Sequence, residues 1–357
     1  MSQPAKTRDP FCLHRLALRP LIGDKDGIIT NEILHTIQLT DAERFLSFLR
    51  WHGLAPLWFE VLTGTPDLAT TGTYLMQHLH QDKLDAVAAY MLQKRTLDKL
   101  HQIFTGAEIP YAVFKGVQVR EMVYPQPPLR PACDIDVLVS GSQRNEAIKV
   151  LAEAGMKTVI KPQNLSHECT LMDNNVAVDL HWHIMRPGRI PPELSDQLLL
   201  DRVVLNGFSG LNECATIFVL LVHPAYTRYV CNPYALLIRS VDLIRLFREH
   251  AIDWDRVMDL VARAHARTAA WSTLFWLNLL AGTGPAMEIM NRLAPPRIKR
   301  SYLEFWIRNN LPFRFETWKM LMHPAFTLAL HDNIGDAVTA VKHRINWGQS
   351  RINSKKV

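Results

Sequence analysis

The chain has 357 residues, enough for two or three domains, and its 48% hydrophobic content suits a globular protein with a sizeable core. A net charge of +6 favours an anionic ligand such as a nucleotide, yet it is too mild to mark a nucleic-acid-binding protein. Five scattered cysteines without a CxxC pair argue against a disulfide framework or zinc site and fit a reducing compartment.

The opening segment, MSQPAKTRDPFCLHRLALRPLIGDKDG, lacks the apolar core of a signal peptide. No uncharged apolar run reaches membrane-spanning length, so a cytoplasmic protein without membrane contact is expected. Thr40 with Glu43 reads as a capping box, followed by an apolar face at Phe45, Leu46, Phe48 and Leu49. A short helix over Leu54 to Leu62 and a long one from about Gly72 to Ile103 follow. The long one has a predicted buried stripe of Leu75, Leu79, Leu84, Val87, Met91, Leu97 and Leu100. Residues 1–105 are expected to form an N-terminal helical region.

Residues 106–208 change period from helix to strand and read as an α/β core. Strands are predicted at 111–114, 135–139, 156–160, 168–172 and 176–183. Helices are predicted at Val117–Met122 and from a Ser142 cap to Ala154. Asp173-Asn174-Asn175 between two alternating runs is a hairpin signal. From residue 209 to 357 helices return, predicted at 213–222, 234–249, 254–266, 268–281, 286–293, 298–309 and about 325–345, with Asn212 and Asp253 as caps.

The chemistry is concentrated between Tyr111 and His183. Asp134 and Asp136 stand one residue apart in an apolar run, so a strand turns both to one face and sends Ile135, Val137 and Val139 to the other. Like charges so close repel, and a hard divalent cation offsets them well. In VAVDLHWH, Asp179 shares a face with His181 and His183. If that strand pairs beside the first, three carboxylates converge into a site for one or two magnesium or manganese ions, as used for in-line phosphoryl displacement. The bland alternatives are surface acids for Asp134 and Asp136 and a salt bridge for Asp179. Lys115 ends the strand before this one, and Gly116 allows a sharp turn or a close approach to a ligand. Arg130 either holds triphosphate oxygens with its planar fork or neutralises one of the acids. His181 is a nitrogen ligand beside oxygen-preferring magnesium, which suits contact with a ligand residue or substrate better than direct coordination.

The pattern FKG, then VYPQPPLRPACDIDVLV, then VDLHWH resembles the uncharacterised bacterial nucleotidyltransferases of the polymerase-β-like superfamily. The resemblance implies an α+β fold, a small mixed sheet flanked by helical regions. It implies a magnesium- or manganese-dependent transfer of a nucleoside monophosphate from an NTP, such as ATP, to a hydroxyl acceptor on a small molecule or protein. Asp134, Asp136 and Asp179 would be catalytic and metal-binding, and Lys115, Gly116, Arg130 and His181 would meet the nucleotide. Lys115-Gly116-Val117 stands where the superfamily has Gly-Ser, so a phosphate-binding hydroxyl is missing. That departure motivates the alternative of a catalytically inactive module that binds a nucleotide or protein.

Overall fold

The computed structural model describes residues 11–22, 42–64, 73–160, 167–228, 236–282, 284–285, 287–311 and 319–343. Helices α1 (Cys12–Ile22), α2 (Ala42–Trp51), α3 (Ala55–Thr63) and α4 (Thr73–Gly106) precede the first strand. The sheet consists of β1 (Tyr111–Phe114), β2 (Asp134–Val139), β3 (Lys157–Ile160), β4 (Glu168–Asp173), β5 (Val176–His181), β6 (Val203–Leu205) and β7 (Phe208–Gly210). Between strands lie α5 (Gly116–Val123), α6 (Arg144–Glu153) and α7 (Glu193–Leu200). After the sheet come α8 (Glu213–Arg228), α9 (Ile238–Glu249), α10 (Trp254–Arg263), α11 (Arg267–Ala281), α12 (Met287–Leu293), α13 (Arg297–Arg308) and α14 (Lys319–Ala329). A last helix, α15, covers residues 334–343.

The architecture is the expected α+β one: a mixed seven-stranded sheet in the order β3-β4-β5-β2-β1-β7-β6, with flanking helices. Strand β2 runs antiparallel to β1 and parallel to β5, in a register that sets Asp136 directly beside Asp179. Alternation in β2 divides its side chains between two cores. Ile135, Val137 and Val139 pack with Leu97, Leu100 and Phe104 of α4 and Leu151 of α6. On the opposite face Leu138, with Ala112 and Phe114 of β1, joins a larger core that the N-terminal and C-terminal helices share. Each fully buried aliphatic side chain in such a core contributes roughly 1.5–3 kcal/mol. The strand is therefore pinned from both sides, and the two acids at its N-terminal end are held with it.

Helix α4 departs from the expected single stripe. Leu75 and Leu79 belong to the larger core, and Leu97 and Leu100 belong to the sheet core. Leu84 and Met91, predicted between them, are 48% and 66% exposed. A helix of 34 residues spans about 50 Å, so it can bridge two cores and leave its middle uncovered. That middle, with Asp82 and Asp85, lines a cleft. The predicted Ser142 cap is also corrected. Helix α6 starts after Gln143 without a side-chain cap, and the Ser142 hydroxyl bonds the Ser140 hydroxyl at 2.9 Å. The last predicted helix is two, because residues 330–333 leave the helix between α14 and α15. Thr40, the other predicted cap, lies outside the described residues. Asn212 and Asp253 do cap their helices, accepting from Ala215 N at 2.8 Å and Arg256 N at 3.0 Å.

Two strands had a sequence signal that composition-level reading passed over. Asn206-Gly207 joins β6 to β7, with φ of 43° and 90° at the two turn residues. Positive φ at both positions is the hairpin geometry that Asn-Gly favours. Strand β7 then pairs parallel to β1, so the hairpin widens the sheet on the side away from β5. Among the described residues, no helix is long and apolar enough to cross a membrane.

Candidate active site

One cleft of about 860 Å³ takes in Asp134, Asp136 and Asp179 together with Lys115, Gly116, Arg130, His167 and Glu168. The sheet supplies the floor: the acids stand on the face of β2 and β5 that looks toward the C-terminal helices. The opposite wall includes His223 of α8 and Arg239 of α9. Burial, reinforced by Lys115 and Arg239, holds the His223 imidazole well below its ordinary range.

Asp136 is the most constrained of the acids. It is 6% exposed, and its Oδ1 accepts from Lys115 Nζ at 2.6 Å and from His181 Nε2 at 2.8 Å. Burial pushes its carboxyl up, but Lys115 and His181 outweigh that and hold it well below the usual carboxylate range. Asp134 behaves in the opposite way. Burial, and then the charges of Asp136 and Asp179, push its carboxyl up to about 6. Asp179 accepts a 2.6 Å hydrogen bond from Thr170 on β4 at its Oδ1. Ligand atoms of Asp136, Asp179 and His181 all lie within 4.8 Å of one another.

Lys115 sits between β1 and α5 with φ 60°, ψ −134°, outside the ordinary regions for a residue with a side chain. Such strain persists only where the surroundings impose it. Here the chain reverses into α5, and the lysine is aimed at the acid on the neighbouring strand, where Phe114 pairs with Asp136. Gly116 follows. A Cβ at this position would collide with Nη1 of Arg130, so the guanidinium occupies the space that a side chain at 116 would fill. We expect Gly116→Ala to displace Arg130 and to lower stability by about 1–3 kcal/mol, the usual range for overpacking. A denaturant melt checks this; an unchanged midpoint would show that the guanidinium moves freely.

Of the two readings for Arg130, the ion pair with Asp134 or Asp136 does not form. Its fork closes on Asp242 of α9, with Nη2–Oδ2 at 2.7 Å and Nε–Oδ1 at 3.2 Å, and Nη1 donates to Pro131 O at 2.8 Å. Asp242 also accepts from Tyr124 at 2.8 Å and is fully buried. Burial disfavours the Arg130 charge, but Asp242 more than offsets it and raises the guanidinium's pKa. The arginine is thus a fixed cation at the cleft edge, clamping the sheet side to α9.

A family model described as an uncharacterised nucleotidyltransferase matches residues 38–282. The chain belongs to that nucleotidyltransferase family. No curated protein matches it significantly. Among solved structures, it is similar to ANT(2'')-Ia in complex with adenylyl-2''-tobramycin, at 14% identity and a TM-score of 0.35, over 49% of this chain and 98% of that one. A solution structure of the antibiotic-resistance factor ANT(2'')-Ia is similar at 14% identity and a TM-score of 0.33, over 50% and 95% of the two chains.

The donor set of this family member suits a hard divalent ion. Asp136, Asp179 and His181 form one group of possible ligands, and Asp134 lines the same cleft outside that group. Carboxylate oxygens are the ligands that magnesium and manganese take. Glu168 and Thr170, which the hairpin register sets opposite His181 and Asp179, had no functional assignment from sequence. Only the pairing of β4 with β5 reveals them.

Proposed function

We propose that this chain transfers a nucleoside monophosphate from a nucleoside triphosphate to a hydroxyl acceptor on a small molecule or protein, releasing pyrophosphate. The observation that supports the reading is that Asp134, Asp136 and Asp179 line one cleft, with ligand atoms of Asp136 and Asp179 within 4.8 Å of each other. Asp134, Asp136 and Asp179 would hold magnesium or manganese, which supplies positive charge to the triphosphate and to the transition state.

The remaining roles belong to the side chains. Thr170 occupies Oδ1 of Asp179, which leaves Oδ2 to take the proton of the acceptor hydroxyl. The acceptor oxygen then attacks the α-phosphorus as the bond to the β-phosphate breaks. Lys115 is flexible beyond Cβ and can exchange Asp136 for the oxygens of the departing pyrophosphate, while Arg130, locked by Asp242, keeps a fixed positive charge at the cleft edge. His223 and Arg239, across the cleft, face the space left for the acceptor.

The alternative is a non-catalytic nucleotide- or protein-binding module. It is favoured by a specific contact: Lys115 and His181 both engage the same oxygen of Asp136. Pyrophosphate release with each NTP, with magnesium or manganese and a panel of hydroxyl acceptors, separates the two. Metal-dependent release that vanishes in an Asp134→Ala, Asp136→Ala double variant supports transfer. Equal behaviour of parent and double variant supports the binding module.

A further inference from the structure

A second constellation lies one strand over from the acids. Strands β4 and β5 pair so that Glu168 stands opposite His181, and His167 immediately precedes it. One ligand atom from each of His167, Glu168 and His181 falls within 4.8 Å of the others. His181 is only 2% exposed and is fixed at both ends of its ring. Its edge packs against Phe114 at 5.0 Å and 81°. Its Nε2 meets Asp136 Oδ1 at 2.8 Å. With Nε2 turned to Asp136, Nδ1 is the ring atom left to face Glu168.

That nitrogen is sealed from solvent and has no hydrogen-bond partner. At 3.3 Å from Nδ1 stands Glu168 Oε2, and the same oxygen lies 3.3 Å from His167 Nε2. Two imidazole nitrogens and a carboxylate oxygen gathered at these separations are spaced as the ligands of one bound cation are.

We propose that His167 Nε2, the Glu168 carboxylate and His181 Nδ1 form a binding site for a borderline divalent cation of the Zn²⁺ or Co²⁺ type. Two imidazole nitrogens and one carboxylate are the ligands such ions take, whereas the three aspartates beside them are an oxygen set for a hard ion. Three protein ligands leave an open position, and His167 and Glu168 both line the cleft, so that position faces the cleft. His181 joins the two centres. An ion on Nδ1 fixes the tautomer and leaves Nε2–H directed at Asp136, the carboxylate–histidine–metal arrangement that orients ligands. The site is thus a structural and tuning element for Asp136, and it does not require that the chain catalyse transfer.

Cobalt chloride alone, titrated into the metal-stripped protein without nucleotide, is the probe, read by visible ligand-field absorption. The expected result is one saturable band, retained in Asp134→Asn and lost in both His167→Ala and Glu168→Gln. Glu168 is 39% exposed at its side chain, so Glu168→Gln keeps the test valid even if His167→Ala fails to fold. No saturable band in the parent overturns the proposal. So does a band that persists in both variants, or one that disappears only with Asp179→Asn, which would place the ion on the aspartates. A failed pyrophosphate assay leaves this titration unaffected, because it reads binding and not turnover.

Discussion

Asp179→Asn is expected to lower metal-dependent pyrophosphate release by about 10²–10³-fold, the range found when one preorganised electrostatic group is removed. The substitution keeps shape and one acceptor oxygen, so Thr170 retains its hydrogen bond partner. It removes the negative charge beside Asp136, with which Asp179 is in register on the neighbouring parallel strand. Activity should therefore fall while the melting temperature holds. Steady-state kinetics at saturating magnesium, run beside a thermal melt, make the comparison. Unchanged turnover would remove Asp179 from the reaction, and a collapse of the melt would show a structural role instead.

The second large effect is one of stability, at Asp134. Its carboxyl rises from 3.8 to about 6 because burial and two neighbouring carboxylates oppose its charge. The sign follows from proton linkage. The folded state holds this proton more tightly than the unfolded chain, so the parent loses stability as pH rises from about 4 to about 6 and does not regain it above. A rise of that size corresponds to about 3 kcal/mol at most. Asp134→Asn has no charge to bury. The metal-free variant should be more stable than the parent above pH 6, with the advantage fading as pH falls toward 4. It should also lose pyrophosphate release, since a site that repels its own charges is tuned for a cation and not for stability. Magnesium should raise the melting temperature of the parent and not of the variant. Urea melts at pH 4 and pH 8 decide the matter; a variant less stable than the parent at pH 8 would show that Asp134 is already neutralised.

The local elements of the site were legible because they depend on period and sequence neighbours. Alternation in DIDVLV fixes that Asp134 and Asp136 share a face, and the same rule sets Asp179 apart from Val178 and Leu180. The long helix was legible as a helix but not in its burial. Its period is the same throughout, while the cores at its two ends are separated by a cleft that no window of sequence displays. The Asn206-Gly207 turn was readable and was passed over, because a three-residue strand on either side carries little alternation.

Arg130 shows a different limit. Its neighbours in LRPAC suggest the acids four and six residues away, yet its partner is Asp242, more than a hundred residues on. Proximity along the chain favoured the wrong carboxylates, because the tertiary fold sets Arg130 against a helix from a distant segment. The glycine at 116 is the condition for the guanidinium to lie over the turn, since a Cβ there would meet Nη1 of Arg130.

The sequence by itself determined most of the helices and the strands that carry the acids, which face of β2 the acids take, and the family pattern that joins FKG, DID and VDLHW. Those features rest on backbone period and on side-chain chemistry within a few residues. The tertiary structure alone decided that β5 lies beside β2 in the register that unites Asp136 with Asp179. It also decided that Lys115 and His181 share one oxygen, and that Asp242 claims Arg130. Each of these is a pairing between distant segments, chosen by which apolar faces bury together, and the charged groups meet where that burial brings them.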